Sequence, residues 1–181
     1  VEKCLLVTYG FRDSLGFQSD GSLQVAVAKQ LFESRLLAGY GTPEAVLAVV
    51  LAGREMGLGA MTALRGINII KGKVAMSSQL MIGLILGSGL AEYFDLVETT
   101  PAIARYIAKR KGATREVPMA FTIEQARAAG LLAPSESGKP TQWQKDPENM
   151  LRHRCAARLA RVAFPDVCSN VYTHEEAEGI E

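Results

Sequence analysis

Arg154, Arg158 and Arg161 stand at i, i+4 and i+7, a spacing that places three guanidiniums on one face of a helix. One helical turn, about 5.4 Å, is comparable to the phosphate spacing of an extended nucleic-acid strand, so such a stripe can follow a backbone. Arginine suits that work because its planar fork grips phosphate oxygens in pairs. A second cationic run, Arg105, Lys109, Arg110, Lys111 and Arg115, falls within eleven residues that contain no acid. Like-charge repulsion makes that run costly unless an anion meets it. Arg65, Lys71 and Lys73 form a third group, in a stretch from Met56 to Ala91 without an acidic residue. Three patches on separate elements suggest one composite groove for a polyanion, with affinity that is salt-dependent and blind to base sequence. Tyr106 and Trp143 are the aromatics best placed to stack on bases. For both, packing in the core is the competing role, as a solvated face is for the arginines and edge-strand protection for the hairpin cations. Ser77, Ser78 and Gln79 offer donors at a helix N-terminus, where plain capping is the alternative.

Other chemistries lack their parts. Gly66 to Lys73 has one spacer too many for a phosphate-binding loop and is followed by Val74 instead of Ser or Thr. Gly57-Leu58-Gly59 lacks the third glycine of a dinucleotide fingerprint and follows a helical pattern. No GxSxG or HExxH is present, so no nucleophile with its base can be assembled and no catalytic residue is assigned. Cys4, Cys155 and Cys168 are odd in number and without CxxC spacing, and His153 and His174 are the only histidines. Neither a disulfide framework nor a metal site follows, and a reducing cytoplasm fits best. No cofactor is expected, and nothing in the residues assigns a magnesium ion.

The elements that must carry these side chains can be read in turn. Residues 105 to 161 hold twelve Lys or Arg against five acids, whereas 162 to 181 hold none against five, so a cationic middle precedes an acidic end over 166–181. Val25, Ala28, Leu31, Phe32 and Leu36 recur at helical spacing and predict a helix over Ser22 to Leu37. Thr42-Pro43-Glu44 starts a second helix, which Gly57 stops. Ile67, Ile69 and Ile70 are β-branched, and Lys71-Gly72 separates them from Lys73-Val74 as a tight hairpin turn. Ser77 or Ser78 then caps an apolar helix to Leu86. Tyr93 to Glu98 is a strand, and Ile103 to Lys109 with Glu116 to Phe121 makes a second hairpin around the tip Arg110 to Thr114.

Thr122 to Gln125 matches a capping box, 133–141 is a loop, and Asp146-Pro147-Glu148 opens a long helix to about Phe164. On that helix Leu151, Cys155, Leu159 and Val162 line the apolar face beside the arginines, and Arg152 points toward the apolar side as a potential buried ion-pair member. The order of elements predicts an α+β fold: one domain over 1–181, two β-hairpins or a small antiparallel sheet packed on several helices, and a long basic C-terminal helix. The segment 1–41 is suited to subunit contacts. The longest greasy segment, Val74 to Leu90, is interrupted by Ser77, Ser78, Gln79 and glycines, so no membrane is expected.

A series of blocks resembles the RecT/Bet family of phage-type single-strand annealing proteins, nearer the RecT branch. It consists of Gly53-Arg54-Glu55-Met56-Gly57-Leu58, Ile69 to Met81 (IIKGKVAMSSQLM), Lys109-Arg110-Lys111-Gly112, Phe121-Thr122-Ile123-Glu124-Gln125-Ala126, Trp143 to Arg154 (WQKDPENMLRHR), Phe164-Pro165-Asp166-Val167 and Tyr172-Thr173-His174-Glu175-Glu176. The resemblance implies an ATP-independent, non-enzymatic protein that assembles into rings or helical filaments. It would hold single-stranded DNA and the annealed duplex intermediate during phage or prophage recombination. A phage exonuclease and the host single-strand-binding protein are the implied partners. The acidic end after Asp166 would pair with a basic surface of the next subunit.

Overall fold

Thr42 caps a helix by accepting the amide of Ala45, with Pro43 in the first turn, and at the far end Gly57 takes the left-handed conformation that stops it. The same grammar of caps and glycine stops divides most of the chain. The computed structural model describes residues 21–34, 39–134, 138–168, 171–174 and 177. In chain order these form α1 (Gly21–Glu33), α2 (Pro43–Glu55), α3 (Ala60–Gly66), β1 (Ile67–Ile70), β2 (Lys73–Met76), α4 (Ser78–Gly87), β3 (Ala91–Thr99), β4 (Ile103–Arg110), β5 (Val117–Thr122), α5 (Ile123–Ala128), α6 (Gln142–Lys145), α7 (Pro147–Ala163), α8 (Pro165–Cys168) and β6 (Tyr172–Thr173).

The fold is α+β. Among the described residues there are two three-stranded sheets, β1-β2-β6 and the antiparallel meander β3-β4-β5. The first hairpin turns at Lys71 (φ 48°) and Gly72 (φ 73°), the pair of left-handed residues that a two-residue turn needs to match strand twist. β6 adds to it in parallel, pairing Tyr172 with Ala75 and Thr173 with Met76. In the meander β4 is central and its alternation is clean. Ala104, Tyr106 and Ala108 are buried against α7, while Arg105, Ile107 and Lys109 project from the opposite face.

Around α7 the core is assembled. Leu151, Cys155, Ala156, Ala157, Leu159 and Ala160 are at most 1% exposed, which seats the helix between β4 and β5 on one side and α4 on the other. Small side chains let both neighbours approach. Asp146 Oδ1 caps α7 on the Asn149 amide, and the capping box of Thr122 and Gln125 opens α5 as the sequence indicates. No single described helix is long and apolar enough to cross a bilayer.

Several expectations shift. The first helix is described to Glu33, and residues 35–38, which would carry it to Leu37, lie outside the described residues, as do 1–20, 135–137 and most of the acidic end. α3 and α6 were not legible as helices, and β6 was not legible as a strand. Val162 is 61% exposed although it is in line with Leu151, Cys155 and Leu159, so that face does not stay covered into the last turn of α7, where Ala160 and Ala163 are the buried residues. Arg152 is half-buried and donates to Asn149 Oδ1, a hydrogen bond with a neutral partner in place of the ion pair its position suggested.

Gly53 marks the closest helix contact. A methyl group there would stand 2.2 Å from Cβ of Ala63 in α3, and α3 leaves α2 at a 110° bend. Helix propensity alone favours Gly53→Ala by about 1 kcal/mol, but overpacking a fixed backbone contact costs about 1–3 kcal/mol or more. The variant is therefore expected to be less stable, with a lower urea midpoint at unchanged m value; a rise in the midpoint would show that the α2–α3 crossing is looser than this.

Candidate nucleic-acid interface

The second hairpin ends in a clamp. Arg110 closes a bidentate pair on Asp166, with Nη1 2.7 Å from Oδ1 and Nη2 2.9 Å from Oδ2, and Nη1 also donates to the Ala163 carbonyl at 3.1 Å. Its guanidinium lies 5.2 Å from the ring centre of Phe164, which is fully buried. The hydrogen bond from Arg110 holds the Asp166 carboxyl below its ordinary range, and Asp166 in turn raises Arg110. The end of β4 is thus fastened to the C-terminal corner of α7. Asp166, where the acidic end begins, is engaged within its own chain; the later acids lie outside the described residues.

Lys111 and Arg115 follow directly on the hairpin tip. Both are exposed, and no carboxylate of a described residue lies within ion-pair distance of either. On α7, Arg158 is exposed and its guanidinium lies 4.3 Å over the ring of buried Phe121, which tethers it at the surface. Arg154 and Arg161 flank it and are half-buried. Arg161 Nη2 donates to the Val171 carbonyl at 2.9 Å, and the next residue, Tyr172, carries Lys73 Nζ 4.8 Å over its ring. Contacts therefore run without a break from the hairpin tip through the clamp to α7, and from Arg161 through the 171–172 segment to Lys73. Lys71 is exposed on the turn beside it.

Not every predicted cation joins this path. Arg105 and Lys109 sit on the sheet face that points away from α7, where Arg105 Nε is 3.3 Å from Glu98 and Lys109 Nζ is 3.1 Å from Glu92. On the same sheet the Tyr93 hydroxyl donates to Glu116 Oε2, a bond that pushes the Tyr93 pKa up to about 12. Carboxylates on β3 thus supply the anions that the acid-free run seemed to lack. Arg65 is exposed in the last turn of α3, outside the path. The expectation of one groove lined by all three clusters is corrected to a path that includes the tip, α7 and β2 but excludes the outer sheet face.

The two aromatics chosen from the sequence are inside. Tyr106 and Trp143 are each 7% exposed, with ring centres 5.7 Å from Phe94 and 6.4 Å from Phe121 respectively, so in this structure neither presents a face to a base. The aromatic that sequence reasoning missed is Tyr172, 39% exposed. Cross-strand pairing could have found the carboxylate partners, since Glu98 is directly opposite Arg105 once β3 and β4 are aligned.

Two features stand apart from phosphate binding. An open hollow of about 340 Å³ is lined by Thr99, Asp146, Glu148, Asn149 and Arg152, and its two carboxylates disfavour an anion. Burial pushes the thiols of Cys155 and Cys168 up to about 11, so neither is a thiolate at neutral pH. Among the described residues no group of three or more His, Cys, Asp or Glu is placed to hold a metal ion.

Comparison with known families then bears on residues 93–181, which match the model of the RecT family. Over that span the chain belongs to the RecT family. No curated protein matches the chain. The RecT-family span begins in β3 and contains the hairpin tip, the clamp, α7 and Tyr172, while the β1–β2 hairpin with Lys71 and Lys73 precedes it. RecT-family membership carries a role in phage-type recombination and annealing at the level of the family.

Proposed function

We propose that this chain binds single-stranded DNA along the path from the hairpin tip over α7 to β2, and promotes annealing of complementary strands without ATP. The observation that carries the reading is the continuity of that path. Lys111, Arg115 and Arg158 are open to solvent on it, and two hydrogen-bonded arginines, Arg110 and Arg161, hold its segments together. Exposed cations neutralise phosphates and release counterions, so two like-charged strands can approach and base pairing supplies the specificity. The protein acts as an oligomer, a ring or helical filament, in the cytoplasm of a bacterium or phage-infected cell. A phage exonuclease supplies the single strand, and the host single-strand-binding protein is the second partner. No bond is made or broken in this reading, and no cofactor takes part.

The test is annealing of two complementary labelled oligonucleotides, one pre-bound by the protein. Pairing is expected to proceed faster than in buffer, equally with and without added nucleotide. A protein that binds the strand but leaves pairing at the buffer rate, or slows it, would be a passive single-stranded DNA or RNA-binding module instead.

A further inference from the structure

Tyr172 is, among the described residues, the one exposed aromatic side chain; Phe94, Tyr106, Phe121, Trp143 and Phe164 are buried, and Phe32, Tyr40 and Tyr93 are half-buried. Its backbone is fixed twice, by pairing of Tyr172 with Ala75 and by the hydrogen bond from Arg161 to the preceding Val171 carbonyl. Thr173, the next residue, is fully buried, so strand alternation turns the Tyr172 ring outward. A large ring kept at the surface by a rigid strand, with Lys73 Nζ at 4.8 Å and the arginine helix one hydrogen bond away, has the parts of a stacking platform for a base between two phosphate contacts.

We propose that Tyr172 stacks on a nucleobase of the bound single strand, while Lys73 neutralises an adjoining phosphate. The inference rests on the single-strand reading and adds to it a contact with bases. Stacking is indifferent to base identity because every base has a π face, so sequence-independent binding is retained.

Binding of the intact chain to oligothymidylate is measured over a salt series, alongside an abasic oligonucleotide of equal length. Tyr172→Ala is expected to weaken oligothymidylate binding about tenfold without changing the salt slope, because stacking releases no counterions. Tyr172→Phe is expected to bind as the wild type does, and Tyr172→Leu to bind as Tyr172→Ala does. Lys73→Gln is expected to reduce the slope by about 0.7. On the abasic strand, wild type and Tyr172→Ala should bind alike. Equal binding by the Leu and Phe variants would overturn stacking in favour of plain packing, as would a Tyr172→Ala defect that persists on the abasic strand. If the wild type binds neither strand, the single-strand reading falls first; wild-type binding with an unaffected Tyr172→Ala variant removes the stacking contact alone.

Discussion

Replacing Lys111, Arg115 and Arg158 together by glutamine is expected to weaken single-strand binding roughly 50-fold at 0.15 M salt and to cut the slope of log affinity against log salt by about 2. Both figures come from one relation. Each phosphate contact on a single strand contributes a slope of about 0.7, which at that ionic strength is worth about fourfold. These three side chains are chosen because they are exposed and form no ion pair with a described residue, so their loss does not disturb the fold through a broken bridge. The matching control is Arg105→Gln with Lys109→Gln. Those residues lie on the far sheet face against Glu98 and Glu92, and surface pairs of this kind contribute little to stability. The control is expected to bind within about twofold of wild type, within the range of a non-contact charge change screened by salt. A control as weak as the triple variant would place DNA on the wrong side of the sheet.

The second large effect has a sign that simple electrostatics gets wrong. Asp166→Asn removes a negative charge from a DNA-binding protein and frees Arg110, so a purely electrostatic view expects tighter binding. The clamp geometry expects the opposite. Arg110 holds Asp166 and the Ala163 carbonyl at once, and so fastens the end of β4, from which the tip carrying Lys111 and Arg115 continues, to the C-terminal corner of α7. Asp166→Asn is therefore expected to lower single-strand affinity several-fold with the salt slope unchanged, as is Arg110→Gln. Arg110→Lys cannot reproduce the bidentate fork and should behave like Arg110→Gln. Were Arg110 a direct phosphate ligand, Arg110→Gln would lower the slope by about 0.7 and Asp166→Asn would not weaken binding.

Linkage gives the same clamp a pH signature. Asp166 has a folded-state pKa depressed by its hydrogen bond to Arg110, so its contribution is present above the ordinary carboxyl range and is lost as pH falls through the depressed value. The stability difference between wild type and Asp166→Asn should be constant near neutrality, begin to shrink near about pH 4, and be gone only below the depressed folded-state value. A difference that grew toward acid would contradict the assignment.

Local order was legible in the residues wherever a single stretch contained its own instruction. Thr42-Pro43, Lys71-Gly72, the Thr122 capping box and Asp146-Pro147 each name a boundary through backbone chemistry, and each boundary stands in the structure. What the residues did not disclose depends on distant partners. β6 is two residues long and exists only because β2 is there to pair with it, and α3 ends where the β-branched run begins, so its seven residues carry too little periodicity to read. Of the three arginines spaced along α7 only Arg158 is exposed, Arg154 and Arg161 being half-buried, and which other cations share that side depended on strand alternation in β4. That alternation sends Arg105 and Lys109 one way and Arg110 the other. Tyr106 is buried by the same period, whereas Tyr172 was hidden from reasoning by sitting outside every basic cluster in the sequence.

Photocrosslinking of a bound single strand, followed by identification of the attached residues, tests the path most directly. The expected map has crosslinks at Lys111 and Arg115, along the arginine face of α7, and at Tyr172, with Arg105, Ile107 and Lys109 bare. A map concentrated on those last three residues, with the tip and α7 unlabelled, would contradict it.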